Sequence, residues 1–511
     1  MTTITGNIVK EHIMKKAQER LEKEQKSKEA GANPPKQTGE MIGKSIAQKN
    51  QNQIKKELIE TLLNDIEKVD LNELCKKYGW VPEYDRDGNE KKPLQKHIKV
   101  AIIKYLIDIS KQKDWKLAKD GDYIYIYNGA YWIPFVKDDI IYLLEQFAIK
   151  AGVSMIEAAE EQFLEKLYRQ LQKESYFNSK THSNKNLINL QNGTFDIASL
   201  QLRSFDYRNF LTYQLPYPYK EGAINPLWHK FLDEVIPDKE TQRTLQEVLG
   251  SIFIKDIKLE YIFFLYGSGQ NGKSVVMEVV STLLGKENIS NFSLEQLMEE
   301  HNRAMIKDKL LNFGSETNMK KIDVDTFKAL ASNEPVQARL KYGNSFMMED
   351  YAKLIFNVNK FQFSDIEYTK GFFRRFLIIP FDVTIPDEKV DRRLHHKIIA
   401  AGMEGILNWI IQGAKRVIEN EDIYISNKCE IAKEQFLKEI DNVRLFLDDN
   451  SYQPSKYNRI KAAALYGEYR NYCMQNNFRS VSSKTFKERL HSFGIEWKRE
   501  RDTSYYLIEK I

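Results

Sequence analysis

The sequence predicts an α/β protein with a central, mostly parallel sheet, preceded by a helical and α+β accessory region and followed by a winged helix. Three observations predict it. Apolar, β-forming runs recur at 261–266, 309–313, 353–359 and again just after Arg375. The first run passes directly into GSGQNGKS at 267–274 and then into the amphipathic stretch VVMEVVSTLL, which stops at Gly285. The C-terminal segment carries three helical signals followed by a hairpin signal.

The 511 residues, 42% of them hydrophobic, can bury the cores of two or three domains. The net charge of +5 is too slight to define a nucleic-acid partner, so the position of the charge matters more than its sum. Cys75, Cys429 and Cys473 lie far apart, without the paired spacing of a zinc knuckle or a disulfide framework. No apolar stretch approaches the roughly 18–20 residues that span a bilayer, and the start lacks a signal-peptide core. A cytoplasmic protein with no membrane partner is expected.

Residues 1–55 are polar, nearly free of aromatics and interrupted by GANPP at 31–35, which predicts a flexible tail. Residues 56–235 form the expected accessory domain. Helical spacing in ELIETLLNDIEKV and LQKHIKVAIIKYLIDI gives a small helical module up to about 112, with DRDGNE as a plain turn. DYIYIYNGAYWIPF predicts two strands around Asn128-Gly129, EAAEEQFLEKLYRQLQ a helix, and NLINLQNGTFDIASLQLRSF a second hairpin.

The chemistry is concentrated in 236–425. A strand, a glycine loop and a helix in that order suit a bound phosphate: glycines let backbone amides turn inward, and the helix N-terminus adds positive potential. Gly267, Ser268, Gly269, Gln270, Asn271 and Gly272 would form the cradle. Lys273 would reach the β- and γ-phosphates of ATP, and Ser274 would hold Mg2+. Glu316, at the end of the second strand, is the expected base that activates water and a second metal contact. Asn359, at the end of the third, suits a sensor of the γ-phosphate. Arg374 and Arg375 precede the fourth strand, where one guanidinium could serve a neighbouring subunit as an arginine finger.

The ordered motifs GSGQNGKS, LLNFGSE, FKALASNEPVQARLKY, KLIFNVNK and GFFRRFLIIPF resemble the superfamily 3 helicase core of poxvirus-type and phage or plasmid replication helicases. That resemblance implies an AAA+ P-loop ATPase fold, a hexameric ring, ATP-driven movement on single-stranded DNA and possible replisome partners. It also implies that Lys328, Arg339 and Lys341 are DNA-binding basic residues, and that a hairpin turning at Tyr342-Gly343-Asn344 projects into the pore with Lys341 gripping DNA near its tip. The layout is similar to that of replication initiators of phage-inducible chromosomal islands. Two departures stand out: Ser315 precedes Glu316 where relatives carry a second acid, and Asn333-Glu334 replaces a Gly-Asp pair. Fewer than about 120 residues precede the shared part, so no primase activity is expected.

Rival readings stay open. Asn359-Lys360-Phe361-Gln362 fails the guanine reader of a GTPase at its last position, and no arginine-rich lid of a nucleoside kinase follows Arg375. A regulatory or origin-binding protein that uses ATP only to assemble is the stronger rival. Residues 436–511 form the expected winged helix: from Asp441 on, thirteen Lys or Arg oppose nine Asp or Glu, a surplus of +4. Its third helix, capped by Ser482 or Ser483, would bring Lys484, Lys487 and Arg489 to duplex origin DNA. Lys498, Arg499 and Arg501 would lie on the wing.

Overall fold

The computed structural model describes residues 53–511 apart from 65, 114, 121–122, 176–185, 316–317, 320–321, 342, 360–361, 364–369, 477, 479 and 511. The chain divides into Met1–Ile54 and Lys55–Ile511, and the expected tail lies almost wholly outside the described residues. No described helix is long and apolar enough to cross a membrane, and all three cysteines are buried and unpaired.

The accessory region begins with a helix over 53–64, then Leu71–Lys77 and Gln95–Gln112. Gln95–Gln112 turns Ile98, Ile102, Leu106 and Ile109 inward at helical spacing. The DRDGNE stretch is the expected turn: Asp85 accepts from the amides of Asp87 and Asn89. A three-stranded antiparallel sheet follows, Lys116–Asp120, Tyr123–Tyr127 and Trp132–Phe135, with the second and third strands joined around Asn128-Gly129. The first strand and the helix Lys137–Ala151 are additions to the sequence expectation. The single helix expected over EAAEEQFLEKLYRQLQ is two, Met155–Ala158 and Glu161–Glu174. Glu160 turns extended between them and becomes the N-cap of the second, which carries its own buried stripe of Phe163, Leu164, Leu167, Tyr168 and Leu171. The meander Leu187–Leu190, Gly193–Asp196 and Gln201–Arg203 matches the second hairpin signal and adds a strand.

Two capped helices lead into the core. Asn225 caps Pro226–Val235, accepting from the Trp228 amide while its own amide donates to the carbonyls of Ile398 and Gly402. Asp238 caps Lys239–Gly250 in the same way. The five-stranded sheet that follows is wholly parallel, in the order Phe376–Pro380, Ile262–Tyr266, Lys353–Val358, Leu311–Ser315, Ile289–Ser290. It is covered on both faces, which explains its continuous apolar runs. One face joins Phe263, Leu265, Ile355, Leu377 and Ile379 to the helices Lys273–Leu284 and Met403–Asn420. The other joins Ile262, Phe264, Phe356 and Phe376 to Phe327, Phe372 and Phe436. Helix Asn427–Ile440 packs on this second face, filling the stretch that the sequence left between core and C-terminal segment.

A polar contact ties the accessory sheet to the core. Tyr125 donates to Asp308 Oδ2 at 3.0 Å, and Lys307 Nζ reaches both the Tyr125 hydroxyl at 3.1 Å and Asp308 at 2.9 Å. Burial, then the Asp308 carboxylate, hold the Tyr125 hydroxyl well above its ordinary pKa, so it stays a donor. Lys307 and Asp308 stand just before the strand Leu311–Ser315.

The C-terminal segment has helices Asn442–Asp449, Ala462–Gln475 and Ser483–Ser492 around Phe446, Leu465, Tyr469 and Phe486. Ser482 is the cap of the third, accepting from the Thr485 amide. Strands Trp497–Glu500 and Thr503–Tyr506 form a hairpin whose turn is Arg501-Asp502. Ile460–Lys461 pairs with the hairpin's second strand, and Tyr452–Pro454 pairs with Ile508–Lys510.

Candidate nucleotide and nucleic-acid site

The carboxyl end of a parallel sheet is where such folds leave a crevice for ligands, and the glycine loop opens there. It leaves Tyr266, runs through 267–272 and enters the helix Lys273–Leu284, whose N-cap, Gly272, offers no side-chain cap. Positive φ at Gly269, Gln270 and Gly272 coils the loop. Two glycines are sterically required. A Cβ on Gly267 would meet the Asn271 side chain at 2.1 Å, and one on Gly272, at φ +83, would meet Val235 at 2.7 Å.

The loop is braced by the chain that follows the last strand. Asn271 donates to the Phe381 carbonyl at 2.9 Å, Gln270 to Asp387 Oδ1 at 2.9 Å, and the Ile385 amide to the Gln270 carbonyl at 2.8 Å. Lys273 folds back into the loop, its Nζ donating to the Gly267 carbonyl and to Asn271 Oδ1, each at 2.7 Å. Burial pushes its pKa down to about 8. Ser268 and Ser274 are exposed beside it. The loop's coiled backbone, its uncapped helix and its buried lysine suit the phosphates of a nucleotide.

Glu316 lies outside the described residues. Among the described residues no group of three His, Cys, Asp or Glu is placed to hold a metal, which leaves Ser274 as the described candidate for Mg2+. Asn359 stands one residue beyond its strand and is exposed. Asn357 lies within the same strand, two residues earlier. It pairs in register with Leu265 on the loop strand and with Ser315 on the other side. It therefore shares the face that carries Leu265 and the helix Lys273–Leu284. Its Oδ1 is buried and has no hydrogen-bond partner among the described residues. An amide in the middle of an apolar strand was the available sequence signal.

The two arginines divide. Arg374 is exposed and reaches Glu260 at 2.6 Å. Arg375 is buried, donating to the Gly371 carbonyl and lying 3.4 Å from the Ser332 hydroxyl. Both guanidinia are paired within their own chain, and Arg374 is the exposed one of the two.

The expected hairpin consists of Val336–Arg339 and Ser345–Met348, with Tyr342 outside the described residues. Arg339 and Lys341 are exposed, and Arg339 lies 3.7 Å from Glu300. Lys328 belongs to the helix Val324–Ala331, not the hairpin, and lies 3.5 Å from Asp325. A brace at the hairpin's base had no sequence signal. The buried Arg303 donates to the carbonyls of Gln337, Leu297 and Met298, and His301 Nδ1 meets the Arg339 carbonyl at 2.9 Å.

In the C-terminal segment Lys484, Lys498, Arg499 and Arg501 are exposed. Arg489 is instead paired with Asp441 at 3.0 Å, and Lys487 lies over the Trp497 ring. Both partners are distant in sequence, so neither pairing was visible there.

The structure is thus an α/β protein whose parallel sheet carries a glycine loop at its carboxyl end. Residues 265–375 match a family of unknown function (DUF5906), and residues 101–237 match a family described as D5 N terminal like. Over 128 residues, 24% of the chain, the sequence is 25% identical to "Putative helicase 121R" of Invertebrate iridescent virus 3. That stretch spans 14% of the viral protein. Among solved structures, the chain is similar to the A form apo structure of the NrS-1 C terminal region at a TM-score of 0.46 and 12% identity, covering 80% of this chain and 99% of that one. A second structure of that region, residues 305–718, gives 0.43 at 12% identity, covering 79% and 99%.

Proposed function

We propose that the chain is an ATP-driven DNA helicase that initiates replication of a phage, plasmid or mobile genetic island, and works as a superfamily 3 ring, a hexamer of AAA+ type. The observation that carries this reading is the glycine loop with its buried Lys273, set on the same face of the sheet as Asn357, whose Oδ1 has no hydrogen-bond partner among the described residues. The matches to a D5 N-terminal-like family and to a viral helicase support the replication role.

Bound at this loop, ATP supplies the free energy of phosphoanhydride hydrolysis. Lys273 would exchange its two loop acceptors for phosphate oxygens, and Ser274 with Glu316 would hold Mg2+, which would offset charge on the phosphates. Glu316 is the proposed base that orients and deprotonates water, and the Asn357 amide, on the loop's face of the sheet, is proposed to help position the reacting groups. Lys341 grips one DNA strand from a hairpin that the Arg303 brace ties to the segment ahead of the second core strand. Duplex origin DNA meets Lys484 and the wing cations Lys498, Arg499 and Arg501 of the C-terminal winged helix.

ATP turnover measured with and without single-stranded DNA tests the reading, and stimulation is the expected result. Turnover indifferent to DNA would favour ATP used only for assembly. Lys341→Ala should keep basal turnover but lose most strand displacement, as read on a forked substrate; equal unwinding by variant and parent moves the grip elsewhere. Arg374 is the residue proposed to act across subunits. Mixing inactive Arg374→Ala with inactive Lys273→Ala protein should restore part of the turnover, because some mixed interfaces carry both intact groups. No recovery at any ratio would confine Arg374 to its own subunit.

A further inference from the structure

The outward face of the C-terminal sheet carries chemistry that the third helix lacks. Lys461 and Lys498 both pair in register with Tyr505, so the three side chains form one cross-strand row. The neighbouring row, Ile460, Tyr506 and Trp497, faces the core. The row with Tyr505 therefore faces solvent, and both lysines are exposed. Arg459 adds a third cation, its guanidinium 4.7 Å from the centre of the Tyr505 ring. One carboxylate, Glu500, lies among the three and pairs with Arg459.

A second aromatic stands beside this face in the chain. Tyr457 is 91% exposed. Its loop is fixed by Glu509, which accepts from Gln453, Ser455 and Asn458. On the third helix Arg489 pairs with Asp441 and Lys487 lies over Trp497, as Arg459 pairs with Glu500 here, while Lys461 and Lys498 are exposed.

We infer that this sheet face is a binding platform for single-stranded DNA, with a base stacked on Tyr505 and with Arg459, Lys461 and Lys498 on the flanking phosphates. An aromatic ring ringed by cations suits an unstacked base, whereas a duplex hides the faces of its bases and presents only phosphates and edges. The inference rests on the reading of the chain as a DNA-processing protein for its choice of ligand. It adds a second strand-binding surface, separate from the 336–348 hairpin, that shares Lys498 with the wing offered to duplex DNA.

The test uses the full chain without nucleotide, an oligo(dT) and a duplex of equal length. Tyr505→Ala should weaken oligo(dT) binding about tenfold, as expected for one lost base stack, and leave duplex affinity unchanged. Tyr505→Phe should retain oligo(dT) affinity, because the ring is kept. Lys461→Ala, at an exposed position, should lower the slope of log affinity against log salt for oligo(dT) by about 0.7. An oligo(dT) carrying 5-iodouracil should crosslink to Tyr505 on irradiation, read by peptide mass spectrometry. Unchanged oligo(dT) binding in either Tyr505→Ala or Lys461→Ala, an equal loss on duplex, or crosslinks confined to 336–348 would overturn the inference. Because nucleotide is omitted, a failure of ATP-driven unwinding leaves these readouts unaffected.

Discussion

Lys273→Ala should lower ATP turnover on the order of a thousandfold or more and abolish unwinding, with the fold intact. The lysine is the cation inside the glycine loop, and alanine offers nothing to neutralise charge developing on the transferred phosphate. Stability should follow a different course. The folded pKa of Lys273 is about 8, below its ordinary value of 10.5, so burial favours the neutral form. Its burial therefore costs stability at pH below about 8, and that cost fades as pH rises towards 10.5. Removing the lysine at pH 7 relieves this cost while it strips two hydrogen bonds, and the two effects oppose each other. A melting temperature within about 3 °C of the parent is expected at pH 7. A collapse of the fold would show that the loop needs the lysine structurally; retained ATP turnover and unwinding would show that this loop does not power the movement.

Asn357→Leu should separate stability from activity in the opposite sense. The Asn357 Oδ1 is buried without a partner among the described residues, an arrangement that costs about 1–3 kcal/mol. Leucine has a similar size and no such group, so the variant should unfold at a higher denaturant concentration than the parent. Its ATP turnover should fall about a hundredfold, with nucleotide affinity nearly unchanged, because the amide acts on the reacting geometry rather than on binding. Asn359→Ala should leave turnover near that of the parent. The reverse ranking of the two variants would return the sensor role to Asn359.

The core was legible wherever local pattern and local chemistry coincide. The runs around 262–266, 311–315, 353–358 and 376–380 are apolar because both faces of their sheet are covered, and the loop announces itself through glycines that admit no Cβ. Asn357 and Asn359 could not be ranked from the sequence, since a period of two gives both residues the same parity. Only the end of the strand at Val358 separates a buried amide from an exposed one. The strand Lys116–Asp120 is charged and short of apolar residues, and its pairing with Tyr123–Tyr127 defines it. The helix Lys137–Ala151 does carry a legible stripe, Ile140, Leu143, Leu144, Phe147, Ala148 and Ala151, which the strand signals before it overshadowed. The cations of the site were the least legible. Arg375 and Arg489 look like surface charge in sequence, and only the folded chain brings Gly371 and Ser332 to the first, or Asp441 to the second.

The contact among Tyr125, Lys307 and Asp308 has a mechanical consequence. Three groups that satisfy one another at 2.9–3.1 Å resist slip, since parting them would leave the Asp308 carboxylate without its donors beside the buried Tyr125. The accessory sheet and the strand that ends at Ser315 are thereby coupled as a lever is to its shaft. A displacement of one against the other would first have to part these three groups.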